Sequence, residues 1–589
     1  MRETVKLYLS TLKLSFALSF QASKFIMIFR LLTLVAGAVI PIINVCAMKK
    51  IIDSLTSIGY ANAVYWLVVL GVCQILSAVI GKTTNYLSGI HSDRISLLIS
   101  KDIISKVNEL DISYFDNPQL YNELINVTGD IKAIPSLIWQ VLSSVQITIK
   151  IFSSIIILTR YIPISPWILI LSCLPIFIID KKYAMKMYEW NRSSSSEARK
   201  MGYSYDTLTS KYFSTDIRLH DLKDYLYRKY EQQWKTWNEK KYAILSKQFW
   251  ASFLAMFLPN ITTLVFAALI LDGILNGKFT IGDFSYYISI MGQLTVSVSG
   301  IISITSEILN QKAKIEYYNK FKSWKSNLGD DGTITIKSIQ SIVFDNVSFT
   351  YPYTQKQVLS NVSFCIKKGQ KVGIIGKNGS GKTTIIKLLL RLYKPTSGRI
   401  LVNGIDIQEY KIRSYYKLVS GFMQEYVNYC FELKENIKTA DIERISSDND
   451  ILEACKKSDA YSFISTWENG MREYLTKSFD ASGKELSGGQ WQKIALSRFF
   501  YRNAELRIMD EPSSSIDIES EKKIFDNVLH SNKKNTIIII SHRLSNIKDM
   551  DMIIVIEDGK IVEKGKHESL MERKGTYYTL FNIQKEKFA

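Results

Sequence analysis

The sequence predicts a membrane all-α domain of six helices with long cytoplasmic helical extensions, fused to a soluble α/β domain built around a phosphate-binding loop (P-loop). Three observations predict it. Apolar runs long enough to cross a bilayer are confined to the first 310 residues, and the rest alternates polar and apolar residues as a soluble domain does. The gaps between the runs are short on one side and long on the other. The later part carries Gly376-Lys377-Asn378-Gly379-Ser380-Gly381-Lys382-Thr383, a glycine-rich loop between an apolar strand and a helical run.

At 589 residues the chain is too long for one compact core. The expected division is an amphipathic N-terminal helix over 1–22, a transmembrane domain over 23–310, a polar linker over 311–332 and the soluble domain over 333–589. The first 22 residues show no small-residue cleavage site after a short apolar run, so they are expected to lie along the cytoplasmic membrane surface rather than to form a removable signal peptide.

A spanning helix needs about 20 mostly apolar residues. Six stretches qualify, near 23–48, 63–88, 135–159, 164–180, 247–271 and 281–309, the fourth being the shortest and closely followed by Asp180, Lys181 and Lys182. An even number of spans places both ends on one side, and the P-loop domain, whose nucleotide is cytosolic, makes that side the cytoplasm. Outward loops are then short (Asp53–Asn62, Arg160–Ile164, Asp272–Thr280), whereas the inward segments, 89–134 and 181–246, are long and read as helical. Fifteen Lys and Arg fall between Lys181 and Lys247, as a cytoplasmic segment near anionic headgroups should show. That placement accounts for a net charge of +19 without nucleic acid as a partner. The six cysteines have no metal-ligand or disulfide spacing.

Polar residues inside spans are costly and therefore informative. Gln146, Lys150, Asn260 and Gln293 either line a water-filled cavity or hydrogen-bond between helices. Lys150 stands about fifteen residues into the third span, too deep for easy snorkelling. Its charge would cost about 2.5–3.5 kcal/mol or more against lipid, so it is expected to face the bundle interior.

Beyond the Gly329-Asp330-Asp331-Gly332 linker, strand-like alternation starts at Ile334 and runs through Ile342–Phe349. The glycine-rich loop follows the strand Val372–Ile375 and fits the Walker A pattern. Its glycines let backbone N–H groups wrap a phosphate, and the helix start adds partial positive charge. Lys382 is expected on the β- and γ-phosphates and Thr383 on Mg2+, with Thr384 beside them in the first turn. Asp510-Glu511-Pro512 ends a strand and matches Walker B: Asp510 for the metal, Glu511 as general base for water. Arg507 departs from the apolar pattern of that strand.

Leu486-Ser487-Gly488-Gly489-Gln490 completes the set. Together these motifs resemble the ATP-binding-cassette (ABC) half-exporters of the type IV fold, across the whole chain. The resemblance implies ATP and Mg2+ as cofactors, with the signature Ser487, Gly488, Gly489 and Gln490 closing on the nucleotide of a second chain. Complete sites then need two chains, expected here as a homodimer. It also implies that Tyr351 stacks on adenine, that Gln424 reaches Mg2+ and the attacking water, that Asp517 belongs to the loop linking the two sites (Ser514-Ser515-Ile516-Asp517), and that His542 contacts the γ-phosphate. Leu110–Pro118 and Ser214–His220 resemble the coupling helices that seat on the ATPase. Intact Glu511 and His542 argue against a non-hydrolysing regulatory member.

Trp491 after the signature, where many exporters have arginine, and the aromatic-rich coupling segments resemble the lantibiotic exporters of the nisin exporter group. The implied function is ATP-driven export of a modified ribosomal peptide; a lipid or multidrug exporter, sharing every ATPase motif, is the alternative. Phe479–Lys484 stands where many multidrug exporters carry a glutamate-containing segment. About 22 residues precede the first span, too few for a leader-cleaving protease domain, so any leader is expected to be cut by another protein. Lys150 would then serve either an acidic part of the substrate or a neighbouring helix.

Overall fold

The computed structural model describes residues 13, 16–57, 59–129, 133–310, 312–326, 331–512, 516–530 and 534–588. They form two compact units, Met1–Glu109 with Gln119–Trp324, and Leu110–Pro118 with Lys325–Ala589.

The first unit is helical. Its long elements are α1 (Lys24–Thr56), α2 (Tyr60–Glu109), α5 (Ala133–Tyr161), α6 (Ser165–Ser193), α9 (Lys223–Ala255), α10 (Phe257–Leu275) and α11 (Ile281–Asn310). Short helices stand between them: α3 (Ser113–Asp116), α4 (Pro118–Gly129), α7 (Ser195–Thr209) and α8 (Ser214–Leu219), of which α3 belongs to the second unit. Ser23 caps α1, its hydroxyl accepting from the Ile26 N–H at 3.4 Å. With 50 residues, α2 runs about 75 Å at 1.5 Å per residue, far beyond a hydrocarbon core of about 30 Å. The excess supplies the helical extension expected over 89–134 as far as Glu109; α3 and α4 continue it, and 130–132 lie outside the described residues. Pro259 cannot bond back to the carbonyl of Ala255, and α9 ends at that residue.

Among the described residues five helical runs are long and apolar enough to cross a membrane: Lys24–Thr56, Tyr60–Glu109, Ile138–Tyr161, Lys223–Leu275 and Ile281–Ile308. The fourth expected span lies on α6, where the apolar run from Ser165 to Ile179 is cut short by Asp180, Lys181 and Lys182. Packing compensates for its length. Leu169 and Cys173 are buried, and Asp180 Oδ1 accepts from Gln248 Nε2 and Ser252 Oγ, both at 3.2 Å. The core there joins Leu158 of α5, Leu169 of α6, Phe266 and Ile270 of α10, and Tyr287, Ile290, Met291 and Leu294 of α11.

Of the expected N-terminal helix, residues 1–12, 14 and 15 lie outside the described residues, and 16–22 are helical with Leu18 and Ser19 buried. Within the segment expected as a linker, α12 (Lys312–Ser323) buries Tyr318 and Phe321, three residues apart and so on one face. Residues 327–330, which include Gly329 and Asp330, lie outside the described residues.

The second unit holds two sheets. The smaller has the order β2-β1-β4-β5, from β1 (Ser341–Thr350), β2 (Gln357–Lys367), β4 (Ser397–Val402) and β5 (Ile405–Asp406), all antiparallel. The larger has the order β10-β9-β3-β8-β7-β6, from β3 (Lys371–Gly376), β6 (Val419–Phe422), β7 (Leu506–Asp510), β8 (Thr536–Ile540), β9 (Met552–Glu557) and β10 (Lys560–Gly565). Only β10 in it runs antiparallel. Its central strands, Thr536–Ile540 among them, are buried on both faces and correspondingly apolar. The segment Leu110–Pro118 is gathered into this unit: Tyr114 donates to the Lys325 carbonyl at 2.7 Å, Ser326 Oγ to Asp111 Oδ2 at 3.3 Å, and Tyr393 OH to Asp116. The α8 segment, by contrast, has no buried residue in its own unit.

Candidate active site

Register places the chemistry. Strands β3, β7 and β8 are parallel neighbours, with Ile374 opposite Ile540 and Asp510 opposite Ile540. The loops leaving their carboxyl ends therefore converge, where open α/β sheets bind ligands.

From β3 the chain turns into α13 (Lys382–Leu389) through the glycine-rich loop. Gly376 has no room for a side chain, since a Cβ would stand 2.1 Å from the Ile556 carbonyl oxygen. Gly381, at φ +103°, caps α13 in a left-handed conformation. Lys382 is buried, and its Nζ donates to the carbonyls of Gly376 (2.9 Å) and Lys377 (3.0 Å). Burial lowers its pKa, opposed by the nearby Glu511 and Asp510.

At the end of β7, Asp510 is fully buried, and among the described residues neither carboxylate oxygen has a well-formed hydrogen bond, the Thr383 hydroxyl lying beside them. Burial raises its pKa; the Thr383 hydroxyl acts in the other direction. A buried acid without a well-formed hydrogen bond, next to a threonine hydroxyl, is the environment that a divalent cation completes. Glu511 follows at φ +51°, a conformation costly for a residue with a side chain. Its N–H is held by the Ile540 carbonyl at 3.0 Å. The carboxylate is bracketed by Gln424 Nε2 on Oε2 at 3.1 Å and His542 Nε2 on Oε1 at 2.6 Å.

Lys382, Gln424, Glu511 and His542 share one cavity of about 480 Å3, with Asp510 buried and outside its lining. Asn378, Gly379, Gly381, Lys382, Thr383 and Thr384 line it from the loop and the start of α13, Gln424, Glu511 and His542 from beyond the ends of β6, β7 and β8, and Tyr351 and Val358 complete the lining. Tyr351 OH lies 3.0 Å from Thr384 Oγ1, and its ring packs on Phe349 and Tyr393 at 4.9 and 5.2 Å between centroids. Ser380 is buried behind the loop, and Lys377 turns outward to Glu557 at 3.1 Å.

The signature residues do not line this cavity. Ser487 caps α14 (Gly488–Tyr501), its hydroxyl accepting from Gln490 N–H at 3.3 Å while Gln490 Oε1 accepts from Ser487 N–H at 3.0 Å. Gly488 and Gly489 follow in the first turn. Asp517 caps α15 (Ile518–Leu529) through the Ser520 N–H at 2.8 Å; residues 513–515 just before it lie outside the described residues.

Two features carry no motif. Val358 sits in an ordinary alternating strand and gave no signal. Asp459 is the second: one of its oxygens accepts from Lys523 Nζ (2.6 Å), the other from Lys493 Nζ (2.7 Å) and Ser520 Oγ (2.8 Å). Burial alone would raise its carboxyl pKa, but these donors bring it down to about 2. The node joins α14 to α15, and so the signature helix to the Asp517 cap. Arg507 is buried in β7 with its guanidinium 5.6 Å from the Phe499 ring and no partner for Nε.

Similarity to known proteins agrees with this geometry. The family profile described as ABC transporter matches residues 359–514, and that of the ABC transporter transmembrane region matches 26–298. The subtilin transport ATP-binding protein of Bacillus subtilis is 32% identical over 583 residues, covering 95% of this chain and 91% of that protein. The chain belongs to the ABC transporter family. It is a membrane-bound ABC exporter whose ATPase domain binds ATP and couples its hydrolysis to transport. The nisin transport ATP-binding protein of Lactococcus lactis is 26% identical, covering 97% of the exporter and 95% of that protein. The ATP-dependent lipid A-core flippase of Haemophilus ducreyi is 33% identical over 53% of each chain. A solved bacterial Atm1-family ABC exporter with ATP bound shares the fold, with a TM-score of 0.78 at 20% identity over 95% of the exporter and 98% of that chain.

Proposed function

We propose that the exporter moves a ribosomally made, modified peptide of the lantibiotic type out of the cell, working as a homodimer with two equivalent ATP sites. The observation that carries the peptide reading is coverage. The subtilin and nisin transport proteins match the exporter along 95% and 97% of its length, membrane half included, whereas the lipid A-core flippase match covers 53%. Substrate choice lives in the membrane half, so likeness there weighs more than likeness in the ATPase.

In this reading the loop N–H groups and Lys382 hold the phosphates, Gly376 to Thr384 forming the cradle, and Tyr351 supports the base. Thr383, Asp510 and Gln424 hold Mg2+, which when bound neutralises phosphate charge. Glu511, oriented by Gln424 and His542, takes the proton of the attacking water. Ser487, Gly488, Gly489, Gln490 and Asp517 stand outside the cavity of their own chain, which fits their serving the site of a second copy. Detergent-solubilised exporter should have the mass of two identical chains; an obligate second gene product would contradict the homodimer. In proteoliposomes, a lanthionine-containing precursor peptide should raise the ATPase rate while lipid A core leaves it unchanged. Stimulation by the lipid alone would replace the peptide reading with the lipid one.

A further inference from the structure

We propose that the seam between α1 and α5 binds an anionic group, a carboxylate or a phosphate, carried by the exported molecule or by a lipid headgroup. This goes beyond the peptide reading and holds for any exported anion. Trp139, Ser143, Gln146 and Lys150 recur on α5 at spacings of four, three and four residues, which places them on one face. From Trp139 to Gln146 that face is turned to α1. Arg30 of α1 donates Nη2 to Ser143 Oγ at 2.7 Å, and its guanidinium lies 4.8 Å from the Trp139 ring. One level on, the Gln146 amide presses on Gly37, where a Cβ would stand 2.6 Å from Nε2. Lys150 follows one turn beyond Gln146, half-buried.

The charges on this seam are unmet. Arg30 is only 8% exposed, and among the described residues its Nε has no partner and it makes no ion pair. Lys150 has no hydrogen bond from its ammonium and no ion pair among the described residues. Trp139 Nε1 is a buried donor without an acceptor, and Asn44 Oδ1, two turns past Gly37 on α1, a buried acceptor without a donor. Two other charges of this unit are met within the chain: Lys49 by Asp283, and Asp180 by Gln248 and Ser252. An unpaired ionisable group within a membrane bundle is expensive, and one hydroxyl and one aromatic face do not neutralise a guanidinium. Two such cations on one seam, from Ser143 to Lys150 about 10 Å along the helix, form a ladder whose counter-charge comes from outside the chain.

The test uses the full exporter in phosphatidylcholine vesicles. ATPase is measured against an amphipathic peptide with glutamates and a free C-terminal carboxylate, against its amidated, glutamine-substituted twin, and, without peptide, on adding phosphatidylglycerol. If the anion is carried by the substrate, the acidic peptide should act at about tenfold lower concentration than its twin. Lys150→Gln and Arg30→Gln should bring the two peptides together, and Lys150→Arg should keep them apart. If the anion is a headgroup, phosphatidylglycerol should shift the wild-type rate with the two peptides equivalent, and the shift should vanish in Lys150→Gln. A wild-type exporter indifferent to both peptide charge and lipid charge overturns the proposal, with no variant needing to fold. So does a preference that survives in both glutamine variants. Equal stimulation by both peptides, without a lipid effect, removes the anion site while leaving peptide export standing.

Discussion

Buried charge is handled differently in the two units. In the ATPase unit, Asp459 is met by two lysines and a serine, Glu521 by Arg543 and Asn546, and Glu473 by Lys484 and the Asn469 N–H. Asp510 has no well-formed hydrogen bond on either carboxylate oxygen among the described residues, and under the proposed function it holds the metal. On the α1–α5 seam of the membrane unit, Arg30 and Lys150 find no carboxylate among the described residues. The difference separates two uses of charge. Paired charge holds elements in place; unpaired charge marks where something from outside the chain completes the structure. Arg507 departs from this contrast: it is a buried cation in the ATPase unit beside the Phe499 ring, with no partner for Nε among the described residues.

The largest expected effect breaks the ligand side of this contrast. Glu511→Gln should cut the ATPase kcat by about 10²- to 10⁴-fold, because an amide cannot accept the proton of water. Lys382, Thr383 and Asp510 are untouched, so MgATP binding, measured by equilibrium titration, should stay within about threefold. Near-normal turnover would assign the base elsewhere. Tyr351→Ala should raise the KM for ATP by about tenfold through lost stacking, at about 1–3 kcal/mol per base, while Tyr351→Phe should keep most of it. An unchanged KM in the alanine variant would leave Tyr351 a packing residue.

The paired side is sharpened by Asp459→Asn, expected to cost about 1–3 kcal/mol from charged hydrogen bonds and to lower the thermal midpoint of the full chain. The pH dependence has a definite sign. The folded carboxyl, brought down to about 2, lies below its ordinary value of 3.8, so its stabilisation is present above that ordinary value and is lost as pH falls toward 2. The gap in midpoint between wild type and Asp459→Asn should therefore be full at neutral pH and close in acid; a gap that widens in acid would contradict the pairing. Smallest of all, Arg507→Met should change stability by less than about 1 kcal/mol or raise it, since an apolar residue of similar length removes a desolvated charge. A large loss would mean that Arg507 has a partner in the working dimer.

How much was legible in the sequence follows the same division. Contiguous motifs were: the phosphate loop, the Asp510–Glu511 pair and the Ser487–Gln490 cap each lie within a few residues, so local spacing encodes their geometry. Gln424, Glu511 and His542 are far apart in sequence, yet the resemblance placed all three, and they converge on one carboxylate. The Asp459 node was not legible, because Lys493 and Ser520 lie 34 and 61 residues away and no single stretch shows the pairing. The Arg30–Ser143 bond spans 113 residues, so no single stretch shows it, although Arg30 lies within the first apolar run as Lys150 lies within the third. In 311–332 the many charged residues read as a linker, and the Tyr318–Phe321 spacing that folds α12 onto the unit was hidden among them.

The account's central claim, ATP-driven export of a modified peptide, is tested most directly by transport itself. Exporter is reconstituted with its ATPase domains facing outward, and accumulation of a lanthionine-containing precursor inside the vesicles is followed after ATP addition. Wild type should accumulate the peptide and Glu511→Gln should not, although both bind ATP. Equal accumulation in the two, or none in a wild type that hydrolyses ATP normally with that peptide present, would contradict it.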